Sequence, residues 1–123
     1  MDSDYRIAIE NGIIRVEPRG LAYYEFVREM LAKVAEVASS AQHARLLFDL
    51  RETNYSDDSL VSTIRHVEEA EEVGLGPDFR VAVVGLATDT MLQYVEDVSV
   101  NRGLQVRVFR DEDEAVKWLH GPS

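Results

Sequence analysis

The sequence predicts an α/β fold of order ββαβαβαβα, a mostly parallel five-stranded sheet with an antiparallel N-terminal edge strand. Three observations predict it. Short apolar runs at Arg45 to Leu50, Arg80 to Leu86 and Gln105 to Phe109 suit strands covered by helices. The stretches between them repeat apolar residues at three- and four-residue spacing, the period of amphipathic helices. The turn dipeptide Asn11-Gly12 joins two alternating runs at the start, as in a β-hairpin. Right-handed crossovers then lay the helices over the sheet.

Tyr5, Ile7 and Ile9 alternate with Arg6, Ala8 and Glu10, and Ile14 to Pro18 form the second strand of the hairpin. From Leu21 to Ala38, Val27, Met30, Leu31, Val34, Val37 and Ala38 make one apolar face without Pro or Gly, which predicts a long helix. The run ending in Asp49-Leu50-Arg51 is the third strand. A helix follows from about Asp57 to Val73, with Leu60, Ile64 and Val67 inward and the Glu68 to Glu72 cluster outward. Gly74, Gly76 and Pro77 end it, and Val81-Ala82-Val83-Val84-Gly85 is the expected sheet centre. Thr88 and Asp89 are cap candidates for a helix carrying Met91, Leu92, Val95 and Val98 and stopping at Gly103. After the last strand, Asp111 with Glu114 offers a capping box for a closing helix that turns Ala115, Trp118 and Leu119 inward.

Composition narrows the class. With 123 residues, 46% of them apolar, and no internal repeat or linker, residues 1–123 read as a single domain able to build one core. The absence of Cys excludes disulfides, thiolate metal sites and thiol nucleophiles. A formal net charge of −10 opposes nucleic-acid binding and repels anionic membranes, so cationic or neutral partners are expected. No apolar run approaches the roughly 20 residues of a membrane span, and the acidic start Met1-Asp2-Ser3-Asp4 is unlike a secretory signal. A cytoplasmic location is the expectation.

In open α/β sheets ligand chemistry gathers beyond the carboxyl ends of the strands. Three segments meet there: Asp49 to Ser59, Gly85 to Thr90 and Phe109 to Asp113. The first is richest, with Asp49, Arg51, Tyr55, Ser56, Asp57, Asp58 and Ser59. Capping by Ser56 or Asp57, a dipole contact of Asp58, and pairing of Asp49 with Arg51 or backbone amides explain most of them. Arg51 and Tyr55 exceed what capping needs. The Gly85 turn has one Gly, without G-x-G-x-x-G or a Walker Lys, and reads as a tight turn plus an N-cap rather than a nucleotide site. Asp57 and Asp58 are adjacent and point apart, which disfavours an acid/base pair. His66 and Glu69 are half a metal site at most, His43 and His120 add no short-range spacing, and no Ser sits in G-x-S-x-G. No catalytic residue, metal site or cofactor is expected. Tyr23, Tyr24 and Phe26, at the start of the first long helix, either pack under the sheet or wall a pocket for an apolar ligand.

Leu46-Leu47-Phe48-Asp49-Leu50-Arg51 and the ending Phe109 to Leu119, in this element order, resemble the SpoIIAA-like family of small bacterial proteins across nearly the whole chain. That family shares its fold with STAS domains, among them the anti-sigma-factor antagonists, and is related to lipid-carrying CRAL-TRIO domains. The resemblance implies a βα superhelix and, for most members, no established activity. The antagonists have Asp-Ser-Ser-Gly at a helix start, the first Ser being phosphorylated by the partner kinase. Aligned on Asp49-Leu50, that motif falls on Asp57-Asp58-Ser59-Leu60: the first Asp matches, Asp58 takes the phosphoacceptor position, and Leu60 replaces Gly. The resemblance therefore implies the fold without the phosphoserine switch. A fixed carboxylate at Asp58 supplies about half the charge of a phosphoserine.

The expected function is a non-enzymatic interaction or regulatory module, binding a protein partner through Arg51, Tyr55, Ser56, Asp57, Asp58 and Ser59. The alternative is a carrier or sensor of a small apolar, lipid-like ligand at Tyr23, Tyr24 and Phe26. A homodimer is expected as well, with the Glu68 to Glu72 face outside its interface.

Overall fold

A computed structural model describes residues 3–55, 60–86 and 90–121. Its elements are β1 (Asp4–Glu10), β2 (Ile13–Ala22), α1 (Tyr24–Ala41), β3 (Arg45–Asp49), β4 (Thr53–Tyr55), α2 (Leu60–Glu72), β5 (Arg80–Val84), α3 (Thr90–Asn101), β6 (Gln105–Phe109) and α4 (Glu112–His120). The sheet runs β1-β2-β3-β5-β6, with β4 attached to β2. β1 and β2 are antiparallel, and the other pairs are parallel. Asn11 and Gly12 take φ of 52° and 79°, the two positive angles that let Glu10 face Ile13 across a two-residue turn.

Two cores lie on opposite faces. On one, Met30, Leu31 and Val34 of α1 and Leu92 of α3 pack on Ile14, Val16, Leu46, Phe48 and Val83. On the other, Ala115 and Leu119 of α4 cover Ile13, Leu47, Ala82 and Val84. β3 and β5 are thus buried on both sides, which is why their sequences read as unbroken apolar runs. Beyond Ile13, β2 is covered on one side: Ile14, Val16 and Pro18 are buried, while Arg15, Glu17 and Arg19 alternate onto the face that α4 covers farther along the sheet.

The structure adds a sixth strand to the five expected. Leu21 and Ala22, read as the start of a helix, belong to β2, where Gly20 to Ala22 pair in parallel with Thr53 to Tyr55. Gly20 N–H donates to the Glu52 carbonyl at 3.1 Å, and the Thr53 hydroxyl donates to the Pro18 carbonyl at 2.9 Å. Apolar residues at positions 21 and 22 fit either period, so the pairing with β4 decides. α1 accordingly starts at Tyr24, and it ends where Gln42 turns left-handed and the His43 N–H reaches the Ala38 carbonyl. α2 closes at Gly74, φ 104°, with Leu75 N–H on the Ala70 carbonyl.

Gly85 is needed for close approach. It is buried, donates to the Phe109 carbonyl at 3.0 Å, and a Cβ placed on it would stand 1.8 Å from Leu92 Cδ1. The expected Asp111 cap is present: its carboxylate accepts from Asp113 N–H at 3.0 Å, and three acidic residues fill the first turn of α4. The expected caps Ser56, Asp57, Thr88 and Asp89 lie outside the described residues.

Candidate functional site: a charged clamp and an apolar cavity

The carboxyl end of β3 delivers Asp49 into a cluster assembled from three parts of the chain. Its side chain is 7% exposed, yet it is fully partnered. Arg51 grips it in a bidentate fork, Nε to Oδ1 and Nη2 to Oδ2, both at 2.8 Å, and Arg51 N–H adds a bond of 3.2 Å to Oδ1. Arg15, projecting from β2, donates to Asp49 Oδ2 at 2.7 Å and to Glu112 Oε1 at 3.0 Å. Arg51 also reaches Glu112 Oε1 at 2.8 Å, tying the end of β3 to the first turn of α4. Glu17 extends the row by accepting from Arg15 at 2.6 Å and from Arg19 at 2.7 Å. Three guanidinium groups thus face three carboxylates, with Arg51 and Arg19 at the exposed margin.

The electrostatics follow from these contacts. The Arg51 fork holds the Asp49 carboxyl below the usual carboxylate range against the opposing effect of burial. Hydrogen bonds from Arg15 and then Arg19 depress Glu17 likewise. The same bonds raise Arg15, through Glu112 first, and Arg51, through Asp49 first. Asp49 is therefore a permanent anion near neutral pH, an anchor rather than a proton-transfer group.

The other face of the sheet holds a cavity of about 150 Å³ between it and the three helices α1, α2 and α3. Its walls are apolar, with Phe26, Met30, Phe48, Val67, Phe79 and Val106 prominent among them, and His66 and Ser99 supply polar groups at the lining. Of the expected pocket aromatics, Phe26 lines this space. Tyr24 instead stacks on His66, ring centroids 6.2 Å apart, under the Arg65 guanidinium, and Tyr23 is exposed with its ring 5.9 Å from Phe26.

Among the expected partner-binding residues, Arg51 sits in the clamp and Tyr55 ends β4 beside Ala22. Ser56, Asp57, Asp58 and Ser59 lie outside the described residues. The pairing of Asp49 with Arg51 was legible in sequence, but the shares of Arg15, Glu17 and Glu112 were missed. The signal was there in part, since alternation along 13–18 sends Arg15 and Glu17 to one face. Glu69 pairs with Arg28 at 3.0 Å rather than joining His66, and among the described residues no group of three ligating side chains is placed to hold a metal ion. No helix among them is long and apolar enough to cross a membrane.

Comparison with solved structures gives a SpoIIAA-like fold. An anti-sigma factor antagonist from Mycobacterium paratuberculosis superposes with a TM-score of 0.68 at 12% identity, covering 98% of this chain and 96% of its own. The anti-sigma factor antagonist SpoIIAA in its unphosphorylated form gives 0.61 at 13% identity, with 98% and 99% covered. An uncharacterized protein with a SpoIIAA-like fold from Shewanella loihica gives 0.60 at 16% identity, with 95% and 93% covered. No family model matches the sequence, and no curated protein matches it.

Proposed function

From this SpoIIAA-like fold, we propose that the chain is a non-enzymatic, cytoplasmic interaction module that binds a regulatory protein partner and works as a homodimer. The observation that carries the reading is the clamp of Asp49, Arg51 and Glu112. It fixes a guanidinium, 39% exposed, at the carboxyl end of the sheet and at the root of segment 52–59. A recognition surface built on a rigid ion-paired base loses little entropy on binding, and Arg and Tyr are the residue types that dominate such surfaces. Arg51, Tyr55, Ser56, Asp57, Asp58 and Ser59 form the surface. The two neighbours described as anti-sigma factor antagonists supply the partner class, and the net charge of −10 suits a cationic or neutral partner face. Asp58 at the phosphoacceptor position makes the surface one without a phosphoserine switch.

Affinity purification from the host tests this. The double variant Arg51→Ala, Tyr55→Ala should lose a partner that wild type retains. Because Arg51 also grips Asp49, Glu17→Gln is the control: it loosens the same charged row away from segment 52–59 and should keep the partner. Equal retention by wild type and the double variant would sink the surface.

A second reading has its own observation in the cavity under α1, α2 and α3. A pocket of this size with mostly apolar walls can admit a small apolar molecule. A carrier or sensor of such a ligand, held against Phe26, is the alternative, and Phe26→Trp should then block uptake while the fold persists.

A further inference from the structure

The two edges of the sheet are treated differently. On β6, the Glu96 carboxylate of α3 accepts the Val108 N–H at 2.7 Å, so part of that edge is closed by a side chain of the same protein. β1, the opposite edge, is seven residues long, and among the described residues no side chain is placed on its free N–H groups. Glu10 and Ile13 flank a two-residue turn as a hydrogen-bonded pair, so Glu10, Ala8 and Arg6 use their amides on β2. Tyr5, Ile7 and Ile9 then direct their N–H and C=O groups outward. Such an edge is a template for another strand.

We propose that the occupant is a second copy of this chain, β1 pairing antiparallel with β1 about a two-fold axis at Ala8. This rests on the homodimer in the proposed function and names its surface. In that register Ile7 meets Ile9 of the partner subunit, and the reciprocal pair repeats it, each exchanging the two outward hydrogen bonds of a narrow pair. The face that α1 covers gains apolar contact where Ile9 now stands 48% exposed. On the opposite face Arg6 lies beside Glu10 of the partner subunit, again twice. Neither Arg6 nor Glu10 has an ion-pair partner within the described chain, and Arg6 is already opposite Glu17 on β2. The rival register centred on Ile7 would instead set Asp4 against Glu10 of the partner subunit, a repulsive pair.

Sedimentation equilibrium over a concentration series tests the surface. Wild type should show a reversible monomer–dimer equilibrium. Arg6→Glu and Glu10→Arg should each weaken dimerisation about tenfold, because each turns two attractive cross-strand pairs into repulsive ones. The double variant Arg6→Glu, Glu10→Arg should restore it. Ile9→Pro, which removes an outward N–H that β2 does not use, should abolish the dimer while circular dichroism stays native. A dimer indifferent to all these changes would overturn the β1 surface and leave the homodimer standing. A strict monomer at every concentration would overturn both, and single variants that weaken without rescue by the double would overturn the register.

Discussion

Asp49 shows how a charge becomes tolerable at the end of a buried strand: two guanidinium groups and a backbone amide occupy its carboxylate. Removing it leaves Arg51 to Glu112 alone and Arg15 to Glu112 and Glu17, so Asp49→Ala should cost about 1.5–3 kcal/mol in urea unfolding, the range of charged hydrogen bonds. The pH dependence has a definite sign. Asp49 and Glu17 have depressed folded-state pKa values, so their stabilisation is complete above the unfolded-state values, roughly pH 4 to 4.5. It is lost as pH falls below that window toward the folded-state values. Thermal melts at stepped pH should show stability level from neutral down to about pH 5 and falling beneath it, with a shallower acid limb in Asp49→Asn. Gly85 is the other decisive residue. Gly85→Ala drives a methyl into buried Leu92 and should cost about 1–3 kcal/mol, as overpacked cores do.

Among the elements, the hairpin turn, β3, β5, β6 and α4 were legible because each depends on a local rule. Asn11-Gly12 supplies its own dihedrals, β3 and β5 are apolar on both faces, and Asp111 starts α4 by capping it. β4 was not legible, because three residues of Thr-Asn-Tyr carry no period and exist as a strand through the neighbouring Gly20 to Ala22. The candidate site divides the same way. Asp49 and Arg51 are two residues apart and were paired from sequence, whereas Glu112 reaches them across 61 positions, a closure that requires the sheet order. The β2–β4 link itself is testable. Thr53→Val removes the hydroxyl donor to the Pro18 carbonyl, and hydrogen exchange should speed up at Gly20 and Thr53 while β3 and β5 keep their protection.

At the scale of the whole molecule, one sheet separates two surfaces of opposite chemistry. The charged clamp faces outward beside α4, and the apolar cavity lies under α1, α2 and α3. An interaction module and an apolar-ligand carrier would use these two surfaces respectively, so the occupant of the protein in its own host separates them. Native mass spectrometry of protein purified from that host, without denaturation or detergent, is the most direct measurement. The interaction reading predicts a chain whose small-molecule content is nil and which carries a second protein in fixed stoichiometry, released by high salt. A chain that instead arrives with one small apolar molecule bound, and with no protein partner at any ionic strength, would contradict it.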